Sequence, residues 1–550
     1  MSRVWSAVAD LAPGAADYRA LPKTWRVDLV AGITVGIVAL PLALAFGVSA
    51  GVGAAAGLVT AIVAGIVAAV FGGSNVQVSG PTGAMVVVLA PVVAQHGVSA
   101  VVVVSLLAGV VVCAAGLLRL GRTISYIPWP VIEGFTAGIA IIIFLQQVPT
   151  ALGVSSSLPH STNAAVAAVQ AALAANWPDA LIPLAVVAAT VALMLASRLV
   201  SRAIPASFVA IVVVSGAVML ARVPVQSIGE LPSSLPAPHL PALSLSMLGD
   251  LAGPILAVAA LAAIESLLSG RVAASMADTG PFNADRELVG QGLASIASGL
   301  FGGMPATGAI ARTAVNVRAG ARTRAAAIVH AIALIAVVYL ASNLVSGIPL
   351  AALSGVLMVT AVKMIDVGAL RQVVTSTRSA ATVFIVTAVV TVSFDLIVAV
   401  GIGVAVAAFF ALRALSRSCG VHRQEIPGEA QPGDERIAIF RLDGSLFFGV
   451  ADRVVQRVQQ QRGVEIVILR LSHLQHIDAT GAHTLAELVS DLERRNVTVF
   501  IKGIKPAHRQ VMTRVGAVAA LRHPNHLFED LAPAVAAARS HLRTGEPTRG

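Results

Sequence analysis

The stretch that decides the fold runs from Phe71-Gly72-Gly73 to Ser79-Gly80-Pro81-Thr82-Gly83-Ala84. A second stretch repeats it in the other half of the chain, as Phe301-Gly302-Gly303 followed by Pro305-Ala306-Thr307-Gly308-Ala309. Each copy ends one hydrophobic segment, interrupts it with Gly and Pro, and opens another that is unusually short. Paired interrupted segments in two halves are typical of secondary transporters built from inverted repeats. Single Gly/Pro kinks also occur in ordinary transmembrane helices, but two copies in corresponding places favour the repeat.

The two short segments predict a binding site for an anion. A helix that begins inside the membrane leaves its first backbone N–H groups without acceptors. Those groups, together with the positive end of the helix dipole, favour negative charge. The sequence therefore predicts a substrate site near the middle of the membrane, between Thr82-Gly83-Ala84 and Gly308-Ala309-Ile310.

Composition places the chain among membrane proteins. Hydrophobic residues make up 57% and charged residues 12%, with a mean hydropathy of +0.86, whereas a soluble domain carries about 25% charged residues. About fourteen apolar segments can be placed, against the ~20 residues that a spanning helix needs. They lie near 29–48, 52–72, 82–95, 98–118, 131–149, 181–199, 203–222, 252–270, 288–302, 308–317, 325–346, 349–365, 380–394 and 396–413. The third and the tenth carry the paired motifs.

The net charge of +10 reflects topology rather than binding of nucleic acid. Lys and Arg lie in alternate loops, and the long loops 149–180 and 223–250 contain neither. By the positive-inside rule this pattern predicts a multi-pass protein of the cell membrane with both termini in the cytoplasm. The polar N-terminus runs into a retained span and does not resemble a cleaved signal peptide.

The sequence offers little for covalent or metal chemistry. Its two cysteines, Cys113 and Cys419, supply neither a disulfide framework nor a metal cluster. The chain also contains no nucleophile–base set and no phosphate-binding loop. We therefore expect a protein that is not an enzyme and needs no metal or cofactor.

A smaller domain follows the membrane region. Strand-like runs at Ile437–Leu442, Glu465–Leu471 and Val497–Ile501 alternate with helices expected near 450–461, 482–495 and 506–515, which indicates an α/β fold. Asp443-Gly444 is expected to form a turn. The predicted organisation is a cytoplasmic segment 1–27, a transmembrane domain 28–413, a linker 414–435, an α/β domain 436–540 and a tail 541–550.

Motifs in the expected order over almost the whole chain resemble the SulP (sulfate permease) family, whose animal relatives are solute-carrier anion exchangers. They are Asp28–Gly36, Leu40–Phe46, Gln77–Gly83 and Gly308–Thr313, and Ile477–Gly481 resembles the STAS domain (sulphate transporter and anti-sigma-factor antagonist) of that family. The resemblance implies an all-α membrane domain of fourteen segments in a 7+7 inverted repeat. It also implies core and gate domains, half-helices in segments three and ten, a cytoplasmic α/β STAS domain and a homodimer.

The resemblance also implies roles for four side chains. Glu265 and Ser269 of segment eight and Arg312 of segment ten would line the substrate site, and Phe46 would be the aromatic residue near the anion, or else a packing residue. Charges at membrane depth are costly and usually functional. For Glu133 and Asp395 we favour solvation or capping at helix ends.

Glu265 and Arg312 are predicted to form a pair that couples transport to protons. Sodium-coupled bicarbonate relatives use the segment-eight carboxylate to hold Na⁺ and typically have no basic residue at the position of Arg312. Here Arg312 supplies a positive charge, so we expect Glu265 to carry a proton instead. The alternative is a static buried pair, although such pairs are weak evidence for stability.

The sequence therefore predicts a secondary-active transporter, a proton-coupled symporter that works by alternating access. Its substrate is a small anion: sulfate, bicarbonate or a C4-dicarboxylate. Leu42 replaces the Gln of the Pro-Gln pair of sulfate permeases, which puts sulfate specificity in doubt. The alternatives are a Na⁺-coupled bicarbonate symporter, an uncoupled anion channel, or a membrane-anchored signalling module. We expect the STAS domain to have a cytoplasmic partner. In that domain Thr480 occupies the position phosphorylated in anti-sigma-factor antagonists, or it caps the helix expected at 482–495.

Overall fold

The computed structural model describes most of the chain. The described residues are 11–122, 127–154, 163–200, 205–231, 234–241, 245–393, 396–418, 420–446 and 463–544. They form two compact units, Met1–Val404 and Ala405–Gly550. The helix predicted at 450–461, the residue Asp395 and the end of the predicted tail lie outside the described residues.

Between residues 21 and 418 the structure describes sixteen helices of nine or more residues, besides the four-residue helix Val148–Ala151. They are α1 Leu21–Ser49, α2 Ala54–Phe71, α3 Gly83–His96, α4 Val98–Leu117, α5 Trp129–Gln146, α6 Ala164–Ala174, α7 Trp177–Val200, α8 Ala206–Leu220, α9 Leu245–Met276, α10 Ala284–Leu300, α11 Ile310–Arg318, α12 Ala325–Ser346, α13 Leu350–Met364, α14 Val367–Ser376, α15 Arg378–Ser393 and α16 Leu396–Ser418.

The helices agree with the predicted segments. In the described part of the chain, eight helical stretches are long and apolar enough to cross a membrane. Each predicted segment overlaps a helix, and the count of fourteen spans stays a prediction. The half-helices α3 and α11 have only 14 and 9 residues.

Two helices lie where the sequence analysis placed no segment. α6 lies in the expected loop 149–180 and follows Asn163, whose side-chain oxygen accepts a hydrogen bond from the Ala165 N–H at 2.9 Å. α14 follows Asp366, which caps the Gly368 N–H at 2.8 Å. These helices have only 11 and 10 residues. Their sequence signal is the Asn or Asp cap rather than hydropathy.

The helices of the membrane unit pack in two groups. In one, α4 packs against α10 and α9, and α1 packs against α12 and α2. In the other, α5 packs against α15 and α13, and α7 against α8 and α13. Small residues allow close contact: a Cβ added at Gly109 of α4 would lie 2.7 Å from the carbonyl oxygen of Gly292 in α10. The two groups correspond to the expected core and gate domains.

Two very short strands also belong to the membrane unit. β1 is Ser79–Gly80 and β2 is Thr307–Gly308. Both lie in the paired motifs, directly before the half-helices α3 and α11. They pair with each other.

The second unit is an α/β domain. Its strands are β3 Gly420–Gln424, β4 Ile437–Leu446, β5 Ile466–Arg470, β6 Leu474–Ile477, β7 Thr498–Lys502 and β8 Leu527–Phe528. Its helices are α17 Ala479–Arg494, α18 Pro506–Arg514 and α19 Leu531–Thr544. The strand order is β3-β4-β5-β7-β8, with β6 beside β4, and only β3 pairs antiparallel. Alternate residues of β4, β5 and β7 face two separate apolar cores, which explains their continuous apolar sequence.

Three features of the second unit differ from expectation. Asp443-Gly444 is not a turn, because β4 continues to Leu446 and the register shifts after Gly444, which has a φ of +86°. Part of the expected linker is ordered, since α16 extends to Ser418 and β3 pairs with β4. The sequence analysis also missed β6, β8 and α19.

Candidate functional site

The two interrupted motifs meet in a two-stranded pair. β1 and β2 are antiparallel, with Ser79 opposite Gly308 and Gly80 opposite Thr307. The Ala309 N–H donates to the Val78 carbonyl oxygen at 2.9 Å and extends the pair. We call this pair, Val78–Gly80 with Thr307–Ala309, the hairpin, although its strands come from the two repeats and no turn joins them. Because α3 and α11 begin directly after its strands, their N-termini lie close to each other.

Free backbone N–H groups lie at the start of each half-helix. The N-cap residues Thr82 and Ala309 give no side-chain cap. Among the described residues, no acceptor is found for the N–H groups of 83–85 or 310–312. Ile310 and Ala311 are also exposed. This arrangement suits an anion.

Two of the predicted backbone donors are occupied within the protein. The Gly308 N–H donates to Ser266 Oγ at 3.0 Å, and the Ala309 N–H belongs to the hairpin. These residues therefore shape the site, whereas Gly83, Ala84 and Ile310 keep free N–H groups. A Cβ added at Gly83 would lie 3.3 Å from Phe46 Cε1, so the Phe46 ring packs at the start of α3.

Glu265 joins the two repeats through hydroxyl groups. Its Oε2 accepts hydrogen bonds from Thr82 Oγ1 and Thr307 Oγ1, both at 2.8 Å. The two hydroxyl oxygens lie 3.1 Å apart. The sequence analysis named Thr82 but missed Thr307. The signal was present, because Thr307 stands in the second motif where Thr82 stands in the first.

Arg312 is buried against the first strand. Its Nη2 donates to the Pro81 carbonyl oxygen, and a Cβ added at Gly80 would lie 2.6 Å from Nη1. Arg312 of α11 thereby contacts the strand of the other repeat. Its side chain is fully enclosed, with a relative exposure of 2%.

The predicted ion pair between Arg312 and Glu265 is not formed. Within the described residues no Arg312–Glu265 contact of 4 Å or less is found. Two hydroxyl groups donate to Glu265 Oε2 instead, and the Pro81 carbonyl oxygen accepts from Arg312 Nη2. The two charges still lie at the same hairpin.

Ser269 lies behind the hairpin. Its Oγ is 3.2 Å from Thr313 Oγ1, which accepts a hydrogen bond from the Val78 N–H at 3.0 Å. Both side chains are fully buried. Ser269 therefore supports the strand through Thr313, and its role in lining the substrate site stays a prediction.

The chain that leads into β1 is anchored by charged groups. Glu287 accepts hydrogen bonds from the Gly73 N–H at 2.7 Å and from Gln77 Nε2 at 2.8 Å. Arg324 Nη1 donates to the Gly72 carbonyl oxygen at 2.6 Å. Arg324 also forms an ion pair with Asp17, with 3.6 Å between Nη2 and Oδ1.

Asp17 is an ionised partner in this cluster. Burial alone would raise its pKa, but hydrogen bonds from Arg286 and the Gly14 N–H and the charge of Arg324 hold the pKa below its usual range. The Arg286–Asp17 distance is 2.6 Å. The N-terminal segment is thus tied to the ends of α10 and α12.

The corresponding chain before β2 is anchored by neutral groups. The Met304 N–H donates to Thr60 Oγ1 at 2.8 Å, and Ser298 Oγ donates to the Met304 carbonyl oxygen at 2.7 Å. The Ala306 N–H donates to Ser295 Oγ at 3.2 Å. The two repeats therefore hold the same motif in different ways.

Outside the hairpin, other predicted residues have structural partners. Glu133 accepts a hydrogen bond from Trp129 Nε1 at 2.9 Å near the start of α5. The N-cap of α17 is Asp478, which accepts from the Gly481 N–H at 2.7 Å, so the interpretation of Thr480 as the cap is wrong. Thr480 is exposed in the first turn of α17, and its phosphorylation stays a prediction.

Family models match both units of the chain. The model of the Sulfate permease family matches residues 25–387, and that of the STAS domain matches residues 430–534.

Relatives match over most of their length. The Bacillus subtilis protein YvdB is 33% identical over 89% of this chain and 93% of its own. The Bicarbonate transporter BicA of Synechocystis is 32% identical over 86% of this chain and 88% of its own. A solved transmembrane domain of a cyanobacterium BicA has a TM-score of 0.61 at 32% identity and covers 68% of this chain and 97% of that domain. A structure of SLC26A9 has a TM-score of 0.81 over 100% of this chain and 96% of its own, and at 17% identity this likeness shows the fold.

Proposed function

The chain belongs to the sulfate permease family, and we propose that it is a secondary-active transporter of a small anion in the cell membrane. The observation that carries this proposal is the hairpin, where two half-helices begin side by side with free N–H groups. Arg312 adds a full positive charge to the two helix dipoles. Sulfate, bicarbonate and a C4-dicarboxylate all suit such a site, which supplies donors and positive charge.

We propose that Glu265 carries the coupled proton. The carboxylate lies beside the substrate site, and its two hydroxyl partners connect it to the last residue before α3 and to β2. A proton on Glu265 would remove a negative charge from beside the anion. Loading of the proton and of the anion would then favour each other.

A second candidate is coupling to Na⁺. Glu265 Oε2 and the hydroxyl oxygens of Thr82 and Thr307 form a cluster of oxygen atoms, the ligand type that hard cations prefer. The positive charge of Arg312 at the same hairpin disfavours a bound cation. We therefore rank Na⁺ coupling second.

We further propose the arrangement in the membrane. Both termini are in the cytoplasm, residues 28–413 are the transport domain, and two copies form a homodimer. The domain at 436–540 serves assembly or regulation, through a cytoplasmic partner or through phosphorylation of Thr480.

Uptake into proteoliposomes tests the proposed function. The purified protein should accumulate at least one of radiolabelled sulfate, bicarbonate and fumarate when a proton gradient is applied without Na⁺. Arg312→Ala should lose most of this uptake, because the anion loses a full positive charge at the hairpin. The matched control is Arg318→Ala, an exposed residue of the same half-helix. Uptake that needs Na⁺ would favour the second candidate, and passive flux alone would contradict both.

A further inference from the structure

His330 is a buried polar residue that the transport mechanism described above does not use. It lies in α12 and is fully enclosed, with a relative exposure of 0%. Within the described part of the chain neither ring nitrogen makes a hydrogen bond of normal geometry, and the backbone group nearest to the ring belongs to Ala327. An unpaired polar group in an apolar interior is costly, so such a group usually has a partner or an ordered water.

Arg312 has a matching unpaired group. Its Nη2 is held by Pro81, but its buried Nη1 has no partner among the described residues. A guanidinium N–H can only donate, whereas a neutral imidazole has one nitrogen that accepts. The two side chains are therefore chemically complementary.

Both groups lie over one face of α2. The guanidinium lies at Gly80, where an added Cβ would be 2.6 Å from Nη1 and 3.4 Å from the Cα of Ala61. His330 lies one turn further along, at Gly65. Residues 61 and 65 share a helix face, because side chains four apart are neighbours.

Gly65 places no side chain between α2 and His330. A Cβ added there would meet the Ser79 carbonyl oxygen at 3.6 Å and His330 Cε1 at 3.8 Å, which are ordinary contact distances. The surroundings of Gly65 contain a carbonyl acceptor and an imidazole, and the charge of Arg312 acts on that imidazole. A buried water needs two to four polar partners.

We propose that a water held at Gly65 bridges His330 to Nη1 of Arg312, and that His330 is a positioning residue for the substrate site. The inference rests on the proposed function. The bridge holds the guanidinium against the Pro81 side of the hairpin. Without it, the free Nη1 is drawn toward Glu265, whose charge interacts with that of Arg312, and an incoming anion must break that ion pair.

Two substitutions remove the bridge by different routes. His330→Leu removes the imidazole but keeps an apolar side chain of similar bulk. Gly65→Ala puts a methyl group beside the imidazole and the Ser79 carbonyl oxygen, the proposed place of the water, without a close contact. His330→Gln keeps a polar group that can accept, and Gly216→Ala is the matched control for a helical glycine, because nothing lies within 4 Å of its added Cβ.

The experiment measures the concentration dependence of uptake of sulfate, bicarbonate and fumarate. His330→Leu and Gly65→Ala should each raise the KM about fivefold to thirtyfold and leave the maximal rate within about twofold. His330→Gln should restore most of the affinity, and Gly216→Ala should match the wild type. The double variant His330→Leu/Gly65→Ala should be no worse than either single variant, because both remove the same water.

An unchanged KM in Gly65→Ala, or fully additive effects in the double variant, would overturn the bridge. If His330→Leu does not fold, Gly65→Ala and His330→Gln decide the question. Wild-type protein that takes up none of the three anions would contradict the proposed function instead. In that case a high-resolution cryo-EM map decides the bridge separately, by density for a water in contact with both side chains.

Discussion

Glu265 is held by two hydroxyl groups and not by a basic side chain. The hydroxyl groups of Thr82 and Thr307 both donate to Oε2 of the carboxylate. A proton bound at Oε1 leaves Oε2 able to accept both hydrogen bonds. A proton can therefore be gained or lost without taking the hairpin apart. A direct ion pair with Arg312 would have resisted that change.

We expect Glu265→Gln to separate exchange from driven uptake. The amide mimics the protonated side chain and still accepts from the two hydroxyl groups, so anion binding and exchange of labelled for unlabelled anion should persist. Accumulation driven by a proton gradient should fall to the passive level. The comparison uses proteoliposomes with and without a pH difference, and Glu230→Gln, at an exposed loop position, is the control. If Glu265→Gln still concentrates the anion, the proton is carried elsewhere.

At the scale of single residues, the charged residues of the site can be predicted from the sequence, but the groups that they contact cannot. Glu265 and Arg312 stand out because charged residues in apolar segments are rare. Their actual partners do not stand out, because a threonine or a backbone carbonyl is ordinary in any helix. His330 had no sequence signal beyond being a polar residue in an apolar segment.

The hairpin is the element that turns two distant motifs into one site. Gly80 makes it possible, since its φ is +155° and the Arg312 guanidinium lies where a side chain would be. Any larger residue would push the guanidinium away from the Pro81 carbonyl. The glycine of the motif is thus required by a neighbour as well as by the backbone.

Gly80→Ala should lower anion affinity nearly as much as Arg312→Ala. A Cβ would meet Nη1 at 2.6 Å, so the guanidinium must move. Gly97→Ala is the matched control, because Gly97 also has a positive φ, +78°, but open space around it. The apparent KM for the transported anion is measured for both. Equal losses in the two variants would mean that backbone strain, not the guanidinium, is responsible.

The interrupted segments were predictable as elements, but the strands were not. Gly and Pro show where a helix stops and another begins. A strand of two residues has no periodicity, so only its partner across the repeat defines it. The same holds for β3 and β6, which pair with β4 but are too short or too polar to be recognised in the sequence.

At the scale of the whole molecule, we expect acid to lower the stability of the second unit. His526 in the second unit is 7% exposed and packs on the Phe500 ring at a centroid distance of 4.7 Å. Burial, together with the charges of His541, His523 and Arg522, lowers its pKa to about 4 from the ordinary 6.5. The unfolded domain therefore binds a proton below pH 6.5 that the folded domain excludes.

The free energy of unfolding of the second unit should decrease as the pH falls from about 6.5 to about 4. The loss attributable to His526 is at most about 3.5 kcal/mol, at ~1.4 kcal/mol for each pH unit. Thermal unfolding of the fragment 405–550 at a series of pH values measures it. His526→Leu should flatten the dependence, whereas His483→Leu, at an exposed position, should not. A pH dependence that is unchanged in His526→Leu would assign the effect to other groups.

In the proposed mechanism, the opposite charges at the hairpin would determine how membrane voltage acts on transport. With Arg312 and Glu265 both charged, the empty site would be neutral, and its return across the membrane would carry no charge. A singly charged anion loaded with one proton keeps the site neutral, whereas a doubly charged anion with one proton leaves one negative charge. That charge costs about 2.3 kcal/mol for each 100 mV of opposing potential. A current recorded during transport would therefore distinguish a sulfate-like cargo from a bicarbonate-like one.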